Sequence, residues 1–327
     1  MSLQSIVVTT IYSPTQSILQ FAKMHDFSLF VSGDNKTPKN WHVNDAKFIS
    51  ILDQKKKYAH LSRIVSQNHY ARKNFAYLEA IASGAEYIFD TDDDNFPNNL
   101  FPNFILKAQL LEQYRGNIFI NVYSLFTKQH VWSRGLPLSY VNELMMHKSK
   151  RIVRPLIQQS LADLDPDVDA IYRLTNGKVI RFQKQKIISL AKGTYSPFNS
   201  QSTYWNKEAF PLLYLPSTVN SRITDIWRGY IAQKILWQIG SRLIFLSPCV
   251  YQKRNVHDLM KDFRDELDLY LKTEKMVLLL DRIKLSGTIS DMMMQIYREF
   301  IKYSFFKKEE LKALKVWLSY FKKPRRP

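Results

Sequence analysis

The feature that most constrains the fold is an alternation of short apolar segments with a helical pattern in the first ninety residues. Residues 5–11 and 27–34 read as buried strands, residues 71–83 as a helix stopped by Gly84, and residues 86–90 as a third strand. Such alternation is typical of an α/β sheet whose ligands bind beyond the carboxyl ends of its strands. We therefore predict an α/β fold with a ligand site at that edge.

An acidic run, DTDDD at residues 90–94, follows the third strand directly. Carboxylates this close repel one another strongly unless protons or a cation neutralise them, and hard divalent cations prefer oxygen ligands. Alternation at the strand end separates Asp92 and Asp94 from Asp93. We predict that Asp92 and Asp94 bind Mn²⁺ or Mg²⁺, with Asp93 facing ribose or backbone donors. A solvated acidic turn is the alternative.

Polar residues at the other strand ends and at a helix start are predicted to bind the nucleotide part of a ligand. Asp34 suits a ribose or a base, and Lys36 would offset phosphate charge. Arg72 and Lys73 begin a helix, where backbone N–H groups and the helix dipole favour anions. Ordinary loop and surface roles are the alternatives. The full predicted set is Thr9, Thr10, Asp34, Lys36, Arg72, Lys73, Asn74 and Asp93.

The second half of the chain changes from a mixed pattern to a helical one. The change near residue 255 predicts an α/β region over residues 1–255 and a basic helical region over residues 256–327. The patterns predict strands at 117–126, 178–186 and 242–248, and helices within 257–285 and 289–323.

Three further residues are candidates for chemistry. Asp225 and Arg228 are three apart on a predicted helix and share a face, so an ion pair within the helix competes with a catalytic pair in which Asp225 is the general base. His257 is a candidate metal ligand, although an isolated histidine is more often structural. The sequence has no GxSxG, Walker, GxGxxG or HExxH motif, so the usual signatures of acyl transfer, nucleotide hydrolysis, dinucleotide redox chemistry and zinc hydrolysis are missing.

The formal net charge of +18 predicts a surface that attracts phosphates, nucleic acid or anionic lipid. A single cysteine, Cys249, excludes an internal disulfide. With no leader pattern and no apolar run of membrane-spanning length, we expect a cytoplasmic protein. A basic amphipathic segment near the end either packs on the core or binds the inner face of a membrane. Its apolar stripe comprises Leu311, Leu314, Trp317, Leu318 and Phe321.

The ordered set of motifs resembles the STELLO glycosyltransferase-like family, which is related to GT-A-type nucleotide-diphospho-sugar transferases. The resemblance implies a GT-A-like mixed sheet flanked by helices, a UDP-sugar donor such as UDP-glucose, and a metal at Asp92 and Asp94. It also makes Asp225, Arg228 and His257 site candidates. The matching blocks lie at residues 7–11, 33–38, 71–74, 90–95, 133–137, 165–173, 198–201 and 225–230, and in the segment of Arg254 and His257.

The resulting prediction is a metal-dependent glycosyltransferase that acts on a glycan or glycolipid acceptor, in a bacterial setting of surface polysaccharide synthesis. A sugar-phosphate nucleotidyltransferase and a non-catalytic sugar-nucleotide-binding scaffold are the alternatives. Nucleic acid is not expected as a partner, because the acidic run would repel it at the ligand edge.

Overall fold

The computed structural model describes residues 3–143, 145–254 and 258–321 of the chain. Within those ranges, the strands form one mixed sheet of eleven members. In chain order they are β1 (Gln4–Thr10), β2 (Ser28–Gly33), β3 (Ala46–Ile49), β4 (Tyr87–Thr91), β5 (Asn95–Pro97), β6 (Gln109–Arg115), β7 (His147–Val153), β8 (Ile157–Asp163), β9 (Ile187–Leu190), β10 (Ser202–Asn206) and β11 (Ile244–Gln252).

Helices cover both faces of the sheet, and several begin with a side-chain cap. Thr15 accepts a hydrogen bond from the Ile18 N–H at the first helix, and Thr288 and Asp291 form a capping box at the tenth. The α-helices are α1 (Gln16–Ala22), α2 (Ile51–Lys57), α3 (Ala59–Ile64), α4 (Lys73–Ala82), α5 (Tyr123–Phe126), α6 (Ala170–Thr175), α7 (Thr224–Gln238), α8 (Leu259–Asp265), α9 (Leu267–Arg282), α10 (Ile289–Lys302) and α11 (Glu309–Ser319), with 3-10 helices at Tyr70–Arg72, Leu138–Tyr140 and Lys207–Leu213.

The strand order, β3-β2-β1-β4-β10-β8-β11-β9-β6-β7 with β5 on β11, gathers several carboxyl ends at one edge. Strands β3, β2, β1 and β4 are mutually parallel. The reversed strand β10 lies between β4 and β8, so β8 and its parallel neighbour β11 run in the direction of β4. The ends of β1, β2, β4, β8 and β11 therefore lie together. The predicted α/β fold with a mixed sheet flanked by helices is confirmed.

Two predicted strands are wrong. Residues 117–126 contain the short helix α5 and a single β-bridge from Phe119 to Tyr195, and residues 178–186 contain one bridge from Ile180 to Leu164. Most of their apolar side chains are buried in the main core, although Val179 is exposed, so an apolar run marks burial there rather than a strand ladder. Strands β6 and β7 were not predicted. Strand β7 is an exposed edge strand rich in Lys and Arg, so it lacks the apolar pattern that would have indicated it.

The C-terminal helices α9, α10 and α11 share the main core with α7. Trp317 of α11 is buried, packs on Tyr214 and donates a hydrogen bond to the Pro211 carbonyl. Leu314 and Leu318 of the predicted apolar stripe are buried beside it. The stripe therefore packs on protein and is not available to lipid.

None of the helices in the described ranges has the length and apolar character needed to cross a bilayer. The division near residue 255 stays a prediction.

Candidate active-site cleft

A cleft of about 630 Å³ opens at the shared carboxyl edge of the strands. The ends of β1, β2 and β4 form one wall, and the start of α7, the end of β11 and helix α8 form the other. Of the residues predicted from the sequence, Thr9, Thr10, Asp34, Lys36, Asp92, Asp93, Asp94 and Asp225 line it.

The acidic run presents three carboxylates to the cleft, each held by a different element. Thr10 of β1 donates a hydrogen bond to Asp93, Tyr70 donates to Asp92, and Gln252 of β11 donates to Asp94 at 2.8 Å. The second carboxylate oxygen of Asp94, Oδ1, is buried and accepts no hydrogen bond within the described part of the chain. A buried carboxylate oxygen without a donor is costly, so a ligand is expected there.

Burial and mutual repulsion raise the pKa values of these carboxyl groups. Burial, followed by the charges of Asp92 and Asp93, raises the pKa of Asp94 to about 7. Burial raises the pKa of Asp93 to about 6, against the hydrogen bond from Thr10. Burial also raises the pKa of Asp92, although Lys73 opposes the shift. A divalent cation would relieve the repulsion that produces these shifts.

Beneath the cleft, Asp90 and Lys73 form an ion pair with both side chains fully buried and a Nζ–Oδ1 distance of 2.6 Å. Lys73 also donates to the Thr91 carbonyl at 2.6 Å and lies 3.3 Å from Asp92. Arg228 contacts Asp90 at 3.4 Å and stacks on Trp205. Lys73 and Arg228 therefore contact aspartates of the acidic run and do not reach the cleft themselves. Asp90 lies beneath the cleft and anchors the run through these two ion pairs.

The structure places four predicted site residues away from the cleft, and the first is Lys73, which is buried against Asp90. Arg72 points into the core, where its guanidinium donates to the Val65 carbonyl. Asn74 is buried and exchanges hydrogen bonds with the backbone of Leu215. Arg228 is buried on α7 against Asp90. A helix start attracts anions only where it faces a ligand, and the first turn of α4 packs instead on the interior.

The strand-end residues that do line the cleft have defined partners. Asp34 accepts hydrogen bonds from the backbone N–H groups of Asn35 and His69, which fixes its carboxylate at the end of β2. Thr9 donates to the Ser32 carbonyl, so its hydroxyl joins β1 to β2. Lys36 also lines the cleft. Not all of these side chains are available to a nucleotide, because the hydroxyl group of Thr9 already donates its hydrogen bond within the protein.

Arg134 lies between two carboxylates on the second wall and was missed as a site residue. It bonds to Asp167 at 2.7 Å and to Asp225 at 3.1 Å, while Asn199 donates to Asp167 at 2.7 Å. Burial lowers the pKa of Arg134, but Asp167 and Asp225 more than compensate and hold it well above its ordinary value. Burial would raise the pKa of Asp167, but the charge of Arg134 outweighs burial and lowers the pKa of Asp167 below its ordinary value. Only the blocks at residues 133–137, 165–173 and 198–201 signalled this network.

Basic side chains converge at the far end of the cleft. Arg254 pairs with Asp262 of α8 at 2.5 Å, and burial together with Arg173 and Arg222 lowers the pKa of Arg254 to about 10. Arg173 and Arg222 are also paired with carboxylates, so an anion bound here would compete with existing ion pairs. Residue His257, a predicted metal ligand, lies outside the described residues.

The carboxylates fit a divalent cation bound partly by substrate. Across the described ranges, no three His, Cys, Asp or Glu side chains already surround one point, because separate donors hold Asp92, Asp93 and Asp94 apart. Mg²⁺ is usually bound by one or two carboxylates together with substrate phosphates and waters. Asp92 and the free oxygen of Asp94 supply that donor type, beside arginines suited to phosphate.

Fold and cleft together define an α/β protein in which an acidic strand end faces a wall of paired arginines and carboxylates. A family model described as STELLO glycosyltransferases matches residues 222–325. Probable glycosyltransferase STELLO2 of Arabidopsis thaliana is 29% identical over 294 residues, which cover 83% of this chain and 38% of the relative. Probable glycosyltransferase STELLO1 of the same plant is 26% identical over 340 residues, covering 96% and 43%. The resemblance to the STELLO family is confirmed.

The chain spans less than half the length of these two relatives. Among solved structures, a crystal structure of GalNAc-T7 with UDP, GalNAc and Mn²⁺ matches with a TM-score of 0.38 and 9% identity, covering 97% of this chain and 56% of that chain. A likeness of that degree does not bear on the present cleft.

Proposed function

We propose that the chain is a metal-dependent glycosyltransferase of GT-A type, which moves a sugar from a nucleoside-diphosphate donor to a hydroxyl group of a glycan or glycolipid. The observation that carries the proposal is the carboxylate oxygen of Asp94 that has no hydrogen-bond partner among the described residues, beside two further carboxylates in the cleft. The similarity to STELLO glycosyltransferases supports the reaction class. A UDP-sugar donor and a role in bacterial surface polysaccharide synthesis belong to the same proposal.

In this proposal Asp92 and Asp94 would hold Mn²⁺ or Mg²⁺. The ion would neutralise charge on the departing diphosphate without a proton transfer. Thr10, Tyr70 and Gln252 keep the three carboxylates oriented toward the cleft.

Residues on both walls would bind the rest of the donor. Arg254, Arg222 and Arg173 offer guanidinium groups suited to diphosphate oxygens. Asp34 is fixed by two backbone N–H groups at the end of β2, in a position suited to ribose hydroxyls.

Asp225 remains the proposed general base for an inverting reaction, with one structural restriction. Its carboxylate lies in the cleft wall but accepts hydrogen bonds from Arg134 and from the Ser200 N–H. A carboxylate held by a guanidinium is a weaker proton acceptor than a free one. In the proposed base role, Arg134 would have to release Asp225 when the acceptor hydroxyl binds.

The experiment measures release of UDP from UDP-sugars in the presence of Mn²⁺, for the wild type and Asp94→Asn. Wild-type release should need the metal, and Asp94→Asn should lose about a hundredfold or more of it, because the charge that holds the ion is removed. Asp45→Asn is the matched control, since Asp45 is exposed, distant from the cleft lining, and at a positive φ of 64° that Asn tolerates.

Full metal-dependent release by Asp94→Asn would overturn the metal assignment. Consumption of UDP-sugar only when inorganic diphosphate is added, with release of UTP and sugar 1-phosphate in place of UDP, would identify a nucleotidyltransferase. Metal-dependent binding of UDP-sugars with no turnover on any acceptor would identify a binding scaffold.

A further inference from the structure

A group of arginines lies at the sheet edge opposite to the cleft. Because β9 is antiparallel to β11 and β6 is parallel to β9, the last residues of β9 and β6 lie at this edge, beside the first residues of β7 and the segment before β11. Arg115 ends β6, Arg242 lies just before β11, and Arg151 lies farther along β7. We refer to these three residues as the arginine cluster.

Strand register places the arginine cluster on one face of the sheet. Paired residues of neighbouring strands form a row across the sheet. Each arginine lies two residues from a member of one such row, along its own strand or the extension of that strand. Side chains two residues apart in a strand lie on the same face of the sheet. The Leu190 N–H donates to the Leu243 carbonyl at 3.1 Å, which keeps the segment before β11 beside β9. The row runs across four strands as Ile244, Ser189, Gln113 and Ser149, so three of its four members are polar.

Two buried donors at this place have no acceptor. The side chains of Arg242 and Gln113 are 6% and 8% exposed, and both Arg242 Nε and Gln113 Nε2 are buried without a hydrogen-bond partner within the described ranges. Arg115 and Arg151 are exposed, and no carboxylate in those ranges forms an ion pair with any member of the cluster. The protein therefore leaves both charge and hydrogen-bonding capacity unsatisfied here.

The electrostatics of the cluster favour an anion. Burial, and then the neighbouring charges of Arg151 and Arg115, lower the pKa of Arg242. A buried guanidinium without a counter-charge is costly, and an anion with several oxygens would both neutralise the cluster and accept from the two free donors. Guanidinium groups match the oxygen geometry of phosphate closely.

We propose that the arginine cluster and Gln113 form a binding site for a phosphate group, separate from the cleft. The exposed members Arg115 and Arg151 would hold the outer oxygens, and the buried donors of Arg242 and Gln113 the inner ones. The phosphate could come from a soluble ion or ester, or from the headgroup of an anionic lipid. The site does not depend on the proposed transferase activity.

The test compares the wild-type chain with the double variant Arg115→Ala/Arg151→Ala, in a buffer with a chelator that removes divalent metal ions. The matched control is Lys107→Ala/Lys150→Ala, which removes the same charge from exposed positions just before β6 and on β7, outside the cluster. Binding of inorganic phosphate is measured by calorimetry. Binding of vesicles is measured by flotation, with phosphatidylcholine alone and with added phosphatidic acid.

The arginine variant should lose at least about tenfold in affinity for the probe that binds, since charge-assisted hydrogen bonds are removed, and the control should change by less than about twofold. Binding of phosphatidic-acid vesicles that millimolar phosphate does not displace identifies a lipid headgroup. Binding of free phosphate without vesicle binding identifies a soluble ligand. Equal losses in the two variants, or no binding of either probe by the wild type, would overturn the proposal.

Discussion

At the residue scale, the acidic run differs from a solvated turn in how its carboxylates are held. Tyr70, Thr10 and Gln252 come from three separate elements, yet each bonds one carboxylate of the run. A solvated turn would leave these groups to water. Here the protein fixes them in partial burial, and one oxygen of Asp94 has no donor in the part of the chain that the structure describes. The energetic cost of that arrangement gives it a measurable dependence on pH.

The metal-free protein should lose stability as pH rises. The pKa of Asp94 is raised to about 7 and that of Asp93 to about 6, from about 4 in an unfolded chain, so the folded state keeps protons that the unfolded state releases. The stabilising contribution is complete below about pH 4 and is gone above about pH 7. Urea unfolding in a chelator should show this decline, with a smaller one in Asp94→Asn.

Added Mn²⁺ should reverse the trend, because the metal binds the deprotonated carboxylates and its affinity rises with pH up to about 7. Asp45→Asn should follow the wild type in both conditions. An identical pH dependence in Asp94→Asn and the wild type would rule out this origin of the effect.

At the element scale, the strands and helices around the acidic run followed from the sequence, and those of the second half followed less well. Apolar runs next to Gly84 and Gly33 identified β2, α4 and β4, because their burial and their turns are local signals. Strand β7 has exposed side chains at six of its seven positions, so it carries no apolar pattern. Arg134 likewise joins the cleft through contacts with Asp167 and Asp225 that are distant in sequence.

Glu310 of helix α11 is hydrogen-bonded to the loop of residues 217–222, which reaches the cleft. Its buried carboxylate accepts hydrogen bonds from Tyr214 and from the N–H groups of Ser217 and Thr218, the latter at 2.7 Å. We expect Glu310→Gln to lower the free energy of unfolding by about 1–3 kcal/mol, because an amide replaces a charged acceptor of several donors. Hydrogen exchange at residues 217–222 should rise in the same variant.

Glu309→Gln provides the comparison, since Glu309 is the adjacent residue of the same helix and its side chain is exposed. It should cost about 0.5 kcal/mol through the helix dipole. Equal effects of the two substitutions would show that Glu310 does not hold the loop.

At the scale of the whole molecule, the helices beyond residue 258 complete the core of the α/β part. Thr273 of α9 accepts the indole hydrogen bond of Trp227 in α7, and Trp227 also packs on Phe306, which follows α10. Composition and periodicity placed a boundary near residue 255, since the pattern changes there. They could not show that the two patterns bury one shared cluster, because that depends on long-range packing.

A fragment of residues 1–255 should therefore fail to fold. It would expose the buried face of α7 and lose the buried apolar side chains of α9, α10 and α11, each worth about 1.5–3 kcal/mol, against a net stability of about 5–15 kcal/mol for a typical domain. We expect the fragment to lack near-ultraviolet circular dichroism and to bind a hydrophobic dye, while the full chain unfolds in one cooperative transition. A fragment that unfolds cooperatively and still binds Mn²⁺ would instead establish residues 1–255 as an independent domain, with the C-terminal helices as an accessory to its cleft.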